Sequence, residues 1–128
     1  MRNRSEGVEK YIIYIKSGSL LKEVSVEFLR HLSPITIERL YRNLPLQGMV
    51  VRDNDLIYIS APIDTRLEKP RNRLRRGHVA YSPSKKMIMI ALEDVRLNES
   101  VNSLGRVVEG LEELEKLRTG HMVRLERE

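Results

Sequence analysis

The sequence predicts a mainly β domain, a closed antiparallel β-barrel of about eight strands with two short helices. Three observations carry that prediction. Short segments rich in Ile, Val and Tyr recur along the chain, separated by the Gly, Pro, Ser, Asn and Asp residues that turn a backbone. Only two stretches show helical apolar spacing, and they do not alternate with the strands, which favours a barrel over a doubly wound sheet. The chain of 128 residues is one domain long and, at that size, buries roughly two-thirds of its unfolded surface, so it needs no disulfide or metal to fold.

Each element follows from local chemistry. Residues 1–8 read as a flexible lead-in to a single domain over 9–128. Lys10-Tyr-Ile-Ile-Tyr-Ile-Lys16 is β-branched and aromatic, the mark of a first strand. Residues 20–26 are expected to return beside it, across Ser17-Gly-Ser19. Ser33-Pro34 marks a helix start, with Ser as N-cap and Pro in the first helical position. Ile35, Ile37, Leu40, Tyr41 and Leu44 give that helix its apolar side, and Pro45 stops it. Residues 48–52 and 56–60 form a hairpin around Asp53-Asn-Asp55. Residues 62–77 read as a long connection without periodicity. Residues 78–81 and 87–92 are two strands joined across 82–86; the second is apolar at successive positions, so both its faces should be covered. A polar loop over 93–100 leads to a strand over 101–109, which Gly110 breaks. Leu111, Leu114 and Leu117 line a second helix, with Glu112 and Lys116 paired at i,i+4 and Gly120 at its end. Residues 121–125 are the last strand, and no internal repeat is visible.

Lys and Arg number 23 against 18 Asp and Glu, a formal charge of +5 with 32% of residues charged. The two signs interleave over most of the chain, as on a solvated, ion-paired surface; the excess also suits an anionic ligand or a nucleic acid. The absence of cysteine excludes disulfides, thiol nucleophiles and Cys-ligated metal centres. With no signal-peptide pattern and no long apolar run, a cytoplasmic protein without membrane attachment is expected.

Two blocks carry a family resemblance. Ser33-Pro-Ile-Thr-Ile-Glu-Arg-Leu40 is similar to the Pro-x-Thr-x-Glu helix start of cyclophilins, and Leu104-Gly-Arg-Val-Val-Glu-Gly-Leu-Glu112 resembles their late strand-to-helix turn, in the same chain order. The chain is more closely similar to a small prokaryotic cyclophilin-like family of uncharacterised role, through Leu44-Pro45, Tyr58-Ile-Ser-Ala-Pro62 and Gly77-His-Val-Ala-Tyr-Ser-Pro-Ser-Lys85. The resemblance spans residues 10–125 and implies a cyclophilin-like barrel from a prokaryote. His78, Ser82, Ser84 and Lys85 stand where that family carries Asp, Trp, Pro and Gly, which implies an altered pocket wherever this hairpin lines one.

Cyclophilins isomerise prolyl bonds, using an arginine that donates to the prolyl nitrogen and weakens the amide resonance behind a barrier of about 18–20 kcal/mol. The resemblance puts Arg52 in that place. The accompanying Phe, His, Gln and Trp have no counterparts, and the one Phe of the chain, Phe28, lies elsewhere. The leading reading is therefore a non-enzymatic module that binds a small acidic ligand or an extended peptide on the barrel side, lined by Arg52, Tyr58, Glu68, Arg71, Tyr81 and Asn102. A weak prolyl isomerase dependent on Arg52 is the first alternative. The tract over 66–76 supplies the second, nucleic-acid binding: Arg66, Lys69, Arg71, Arg73, Arg75 and Arg76 face one acid, Glu68. Few aromatics are near to stack bases, and a solvated connection is the plainer account of that tract. Glu68, Pro70 and Arg71 match a segment of the uncharacterised family, which implies that Arg71 clamps an acidic group.

Ser82-Pro-Ser-Lys85 spells the S-x-x-K pattern of serine acyl-enzymes, but between two strands it reads as a turn. His31, His78 and His121 lack ligand spacing, and Asp53-Asn-Asp55 lacks the Gly and distal Glu of a calcium loop, so neither metal nor cofactor is expected. Met87 and Met89, with Tyr58 and Tyr81, read as core rather than pocket wall. An exposed edge at the N-terminal hairpin would permit a homodimer.

Overall fold

The computed structural model describes residues 9–128; the lead-in expected at 1–8 lies outside them. The described elements are β1 (Lys10–Lys16), β2 (Val24–Leu29), a 3-10 turn (Arg30–Leu32), α1 (Pro34–Arg42), β3 (Leu46–Asp53), β4 (Leu56–Ser60), β5 (Arg71–Leu74), β6 (His78–Ser82), β7 (Met87–Ala91), β8 (Val95–Glu109), α2 (Leu111–Leu114) and β9 (Met122–Arg127). Eight strands pair in the order β2-β1-β9-β3-β4-β7-β6-β8, and β8 returns to β2, closing an antiparallel barrel. The remaining strand, β5, hangs on the outside and pairs with β8. Among the described residues no helix is long and apolar enough to cross a membrane.

Strand alternation fills the barrel. Ile13 and Ile15, Val26 and Phe28, Ile57 and Ile59, Ile88 and Ile90, and Val123 and Leu125 all join one buried cluster, to which α1 adds Ile37 and Leu40. The interior void left among these side chains is about 10 Å³, room for no more than one water-sized sphere. Any ligand must therefore bind outside. Met89 and Ala91, the alternate positions of β7, belong to a second cluster with Tyr58, Leu74, Ala80, Leu97 and Val101 on the outer face. That explains the doubly apolar β7: β5 and the first part of β8 cover its outer side.

Gly105 is where the barrel closes. It pairs with Val79 of β6 on one side and Phe28 of β2 on the other. A Cβ there would lie 1.8 Å from the Glu27 carbonyl oxygen, far inside contact distance, so only glycine lets β8 approach β2.

The structure corrects several expectations. The second strand begins at Val24 and runs to Leu29; Leu21 is 87% exposed in the preceding loop. Glu27, beyond the expected end of that strand, is a buried strand residue, its carboxylate paired with Lys10 at 3.3 Å and Arg106 at 3.2 Å. The long connection contains β5, and the expected polar loop over 93–100 becomes the start of β8 from Val95 on, because pairing with each other gives both polar stretches strand geometry. α2 is a single turn. Leu117 is buried beyond it, and Lys116 pairs with Glu113 at 2.8 Å instead of with Glu112. The N-terminal hairpin offers no edge, since β2 is paired on both sides; the free edge belongs to β5.

Candidate functional site

The six residues expected to line a site do not converge. Glu68 and Asn102 do meet, in a cluster that starts α1. The Glu68 carboxylate accepts hydrogen bonds from the backbone N–H of Ile35 (3.0 Å) and Thr36 (2.8 Å), the role assigned by sequence to Ser33. Ser33 instead donates to the carbonyl of Ser103 at 2.7 Å. Asn102 accepts from the Glu68 N–H at 2.8 Å and donates to Thr36 Oγ1 and the Arg66 carbonyl, both at 2.9 Å. Tyr81 is fully buried and its hydroxyl donates to the Ala61 carbonyl at 2.7 Å while accepting from the Ile63 N–H at 3.2 Å. Arg52 donates from Nε to the Asn54 carbonyl (3.0 Å) and from Nη1 to the carbonyls of Glu115 (2.8 Å) and Leu117 (3.0 Å), so it ties the β3–β4 hairpin to the segment after α2. Tyr58 stands apart on the outer face of β4, with Lys85 Nζ 5.9 Å from its ring centroid.

Arg71 lines a different feature, a groove of about 410 Å³ between β5, β6, β8 and the end of β2, within the usual size range of small-ligand sites. Arg71 and Arg73 share one side of β5 by the two-residue strand period, and Arg75 follows just beyond; Leu74 turns the other way into the outer cluster. Arg106 and His78 complete the polar wall, and Leu29, Leu32 and Val79 the apolar floor. No acid belongs to this lining. Arg106 is held by Glu27, whereas the side chains of Arg71, Arg73 and Arg75 have no carboxylate partner among the described residues. Desolvation of the ring, reinforced by the charges of Arg75 and Arg71, pushes the His78 pKa below its ordinary value, and Asp94 opposes the shift. His78 Nδ1 accepts from the Arg75 N–H at 3.3 Å, which leaves the neutral ring its proton on Nε2.

That contact belongs to a turn used twice. In Arg75-Arg-Gly-His78 and Arg118-Thr-Gly-His121, the histidine N–H donates to the arginine carbonyl (2.9 and 3.0 Å) and Nδ1 accepts from the arginine N–H (3.3 and 3.0 Å). The glycines take φ of +87° and +99° respectively, conformations that side-chain-bearing residues avoid. The sequence reading found neither this repeat nor the roles of Arg73, Arg75, His78 and Arg106 in the groove. The available signal was the Arg71-x-Arg73-x-Arg75 alternation, which puts all three on one face of any strand. Among the described residues no group of three or more metal-ligating side chains is gathered.

Comparisons with known proteins fit this architecture. No curated protein matches the chain. Among solved structures it is similar to AF2241, a hypothetical protein of Archaeoglobus fulgidus determined in solution, with a TM-score of 0.78, 25% identity, and 93% of this chain and 95% of that one covered. It is also similar to McbB in complex with tryptophan, with a TM-score of 0.73. That match covers 91% of this chain but only 44% of the other, and at 16% identity it speaks to fold alone. The profile of the cyclophilin-like family matches residues 12–126, and with the barrel closed by β8 as described, this chain belongs to the cyclophilin-like family.

Proposed function

We propose that this protein is a binding module for a small anionic ligand, which it holds in the arginine groove through Arg71, Arg73 and Arg75, with His78 as a further donor. One observation supports this most: three guanidiniums without carboxylate partners among the described residues meet at a groove whose lining contains no acid. A guanidinium fork matches carboxylate or phosphate oxygens two at a time, so a ligand bearing several such oxygens is the natural occupant. Of the six residues expected from sequence, Arg71 alone enters this site.

The groove supports a small ligand over a nucleic-acid strand because no Phe, Tyr or Trp lines it to stack successive bases. Prolyl isomerisation gains no support from Arg52, whose guanidinium bonds three carbonyls of its own chain. Calorimetric titration with inorganic pyrophosphate tests the proposal. The expected result is saturable binding that R71Q/R73Q weakens at least tenfold, about 1.4 kcal/mol, and that added salt weakens further. Unchanged affinity in R71Q/R73Q would remove the groove from consideration. A single-stranded oligonucleotide that binds more tightly than pyrophosphate would favour the nucleic-acid reading.

A further inference from the structure

A second concavity, beside Tyr58, is chemically unlike the arginine groove. It too measures about 410 Å³, but it shares none of the groove's lining residues; its walls come from Asp53, Leu56 and Tyr58, from Lys85, and from residues 96–99 of β8. The β5–β8 register steps from Arg71 opposite Val101 to Arg73 opposite Arg96, so β8 bulges over residues 97–100. The bulge carries Glu99 to the β6–β7 turn. There one of its oxygens accepts from Ser82 (2.7 Å) and Ser84 (3.0 Å), while the other pairs with Lys85 Nζ. Burial pushes the Glu99 carboxyl up, but hydrogen bonds from Lys85, Ser82 and Ser84 outweigh it and hold the pKa below the ordinary value. The S-x-x-K pattern thus anchors a carboxylate, with Ser82 fully buried, and Lys85 is neutralised where it stands.

Two charges remain in this lining, Asp53 and Arg96, and neither side chain has a hydrogen-bond or ion-pair partner among the described residues. Tyr58, with its neighbours Leu56 and Leu97, supplies the apolar wall. Tyr58 is 9% exposed, and its hydroxyl, which has no partner among the described residues, reaches solvent. Burial raises the phenol pKa; the Lys85 ammonium opposes the rise, and the Asp53 and Glu99 carboxylates add to it.

The lining charges are two of each sign, so a net anion or cation gains at one end and leaves the opposite charge unpaired at the other. A ligand carrying both charges pairs both. We infer that this concavity binds a small zwitterion of the amino-acid class, with its ammonium at Asp53, its carboxylate in the Arg96 fork, and its apolar part over Leu56, Leu97 and the Tyr58 ring, whose cation position Lys85 already holds. A carboxylate attracts an ammonium group, and the guanidinium fork takes a carboxylate bidentately.

The test titrates the full chain with free leucine and free phenylalanine, and with the N-acetylated and the carboxamide form of each, followed by amide NMR shifts and calorimetry. A free amino acid is expected to saturate the site, with shifts at residues 53–58 and 96–99 and none at 71–78. Each blocked form should bind at least tenfold more weakly than its parent. D53N should weaken the free amino acid while leaving the N-acetylated form unchanged, and R96Q should do the same with respect to the carboxamide. No saturable binding of either free amino acid, blocked forms that bind as well as their parents, or shifts confined to the arginine groove would each overturn the inference. R71Q/R73Q should leave amino-acid binding intact, so this site and the anion site can fail separately.

Discussion

Glu68 shows how a residue's chemistry can be legible while its task is not. A carboxylate in a basic tract read as a ligand contact, yet it terminates a helix some thirty residues earlier in the chain. E68A should cost about 1–2 kcal/mol, the usual worth of a helix N-cap, and E68Q, which keeps one acceptor, should cost less; chemical denaturation of both variants measures this. The partner could not be read because the contact exists only once the tract folds back over α1. His78 raises a different issue, that of sign. Its folded pKa lies below the unfolded value near 6.5, so its contribution to stability is complete above that pH and is lost as pH falls through the folded pKa. An anion in the groove does the reverse. Its charge opposes Arg75, Arg71 and Arg106 and adds to Asp94, so the pKa rises and binding takes up a proton. Affinity for sulfate, whose own charge is constant over this range, should therefore increase from pH 8 to 5.5, and H78Q should flatten the profile.

At the scale of elements, β1 was read from sequence with the bounds it has in the structure, because its apolar alternation and aromatic content are intrinsic. β5 and the first part of β8 were read as loops because their strand character comes from each other. Two halves of a polar pair as far apart in the chain as Leu74 and Val95 carry no local signal. The motif over 104–112 pointed to the right barrel, and within it Gly105 is the residue that closes the wall. G105A should cost more than the 1–3 kcal/mol of ordinary overpacking, because the clash is with backbone. G18A meets nothing within 4 Å and should be neutral or stabilise slightly; paired thermal unfolding of the two variants makes the comparison. Glu113 links α2 to the β1–β2 loop by accepting from the N–H of Leu21 (2.7 Å) and Lys22 (3.4 Å). The Lys116 hydrogen bond, then these backbone donors, hold its pKa below 4.5. Its contribution is present above that value and lost as pH falls through the folded pKa. E113Q should show a shallower loss of melting temperature on acidification from pH 5 to 3 than the parent.

For the whole molecule, a filled interior and a second, outer apolar cluster decide where binding can occur. Both concavities sit outside the barrel, on either side of the β5–β8 covering layer. Composition had forecast a surface carrying positive charge; it had not forecast that Arg71 and Arg73 of β5, with Arg75 just beyond, would have no carboxylate partner among the described residues. Hydrogen exchange should rank the strands accordingly, with β5 amides exchanging before those of β1, β4 and β7, which are paired on both sides.

β5 also bears on how such a protein can change. The circuit of backbone hydrogen bonds runs through eight strands and closes without it. Substitutions at Arg71, Arg73 and Arg75 therefore reshape the groove without opening the circuit. Two proteins that share this barrel can diverge in this strand alone, keep the same architecture, and present different groove chemistry.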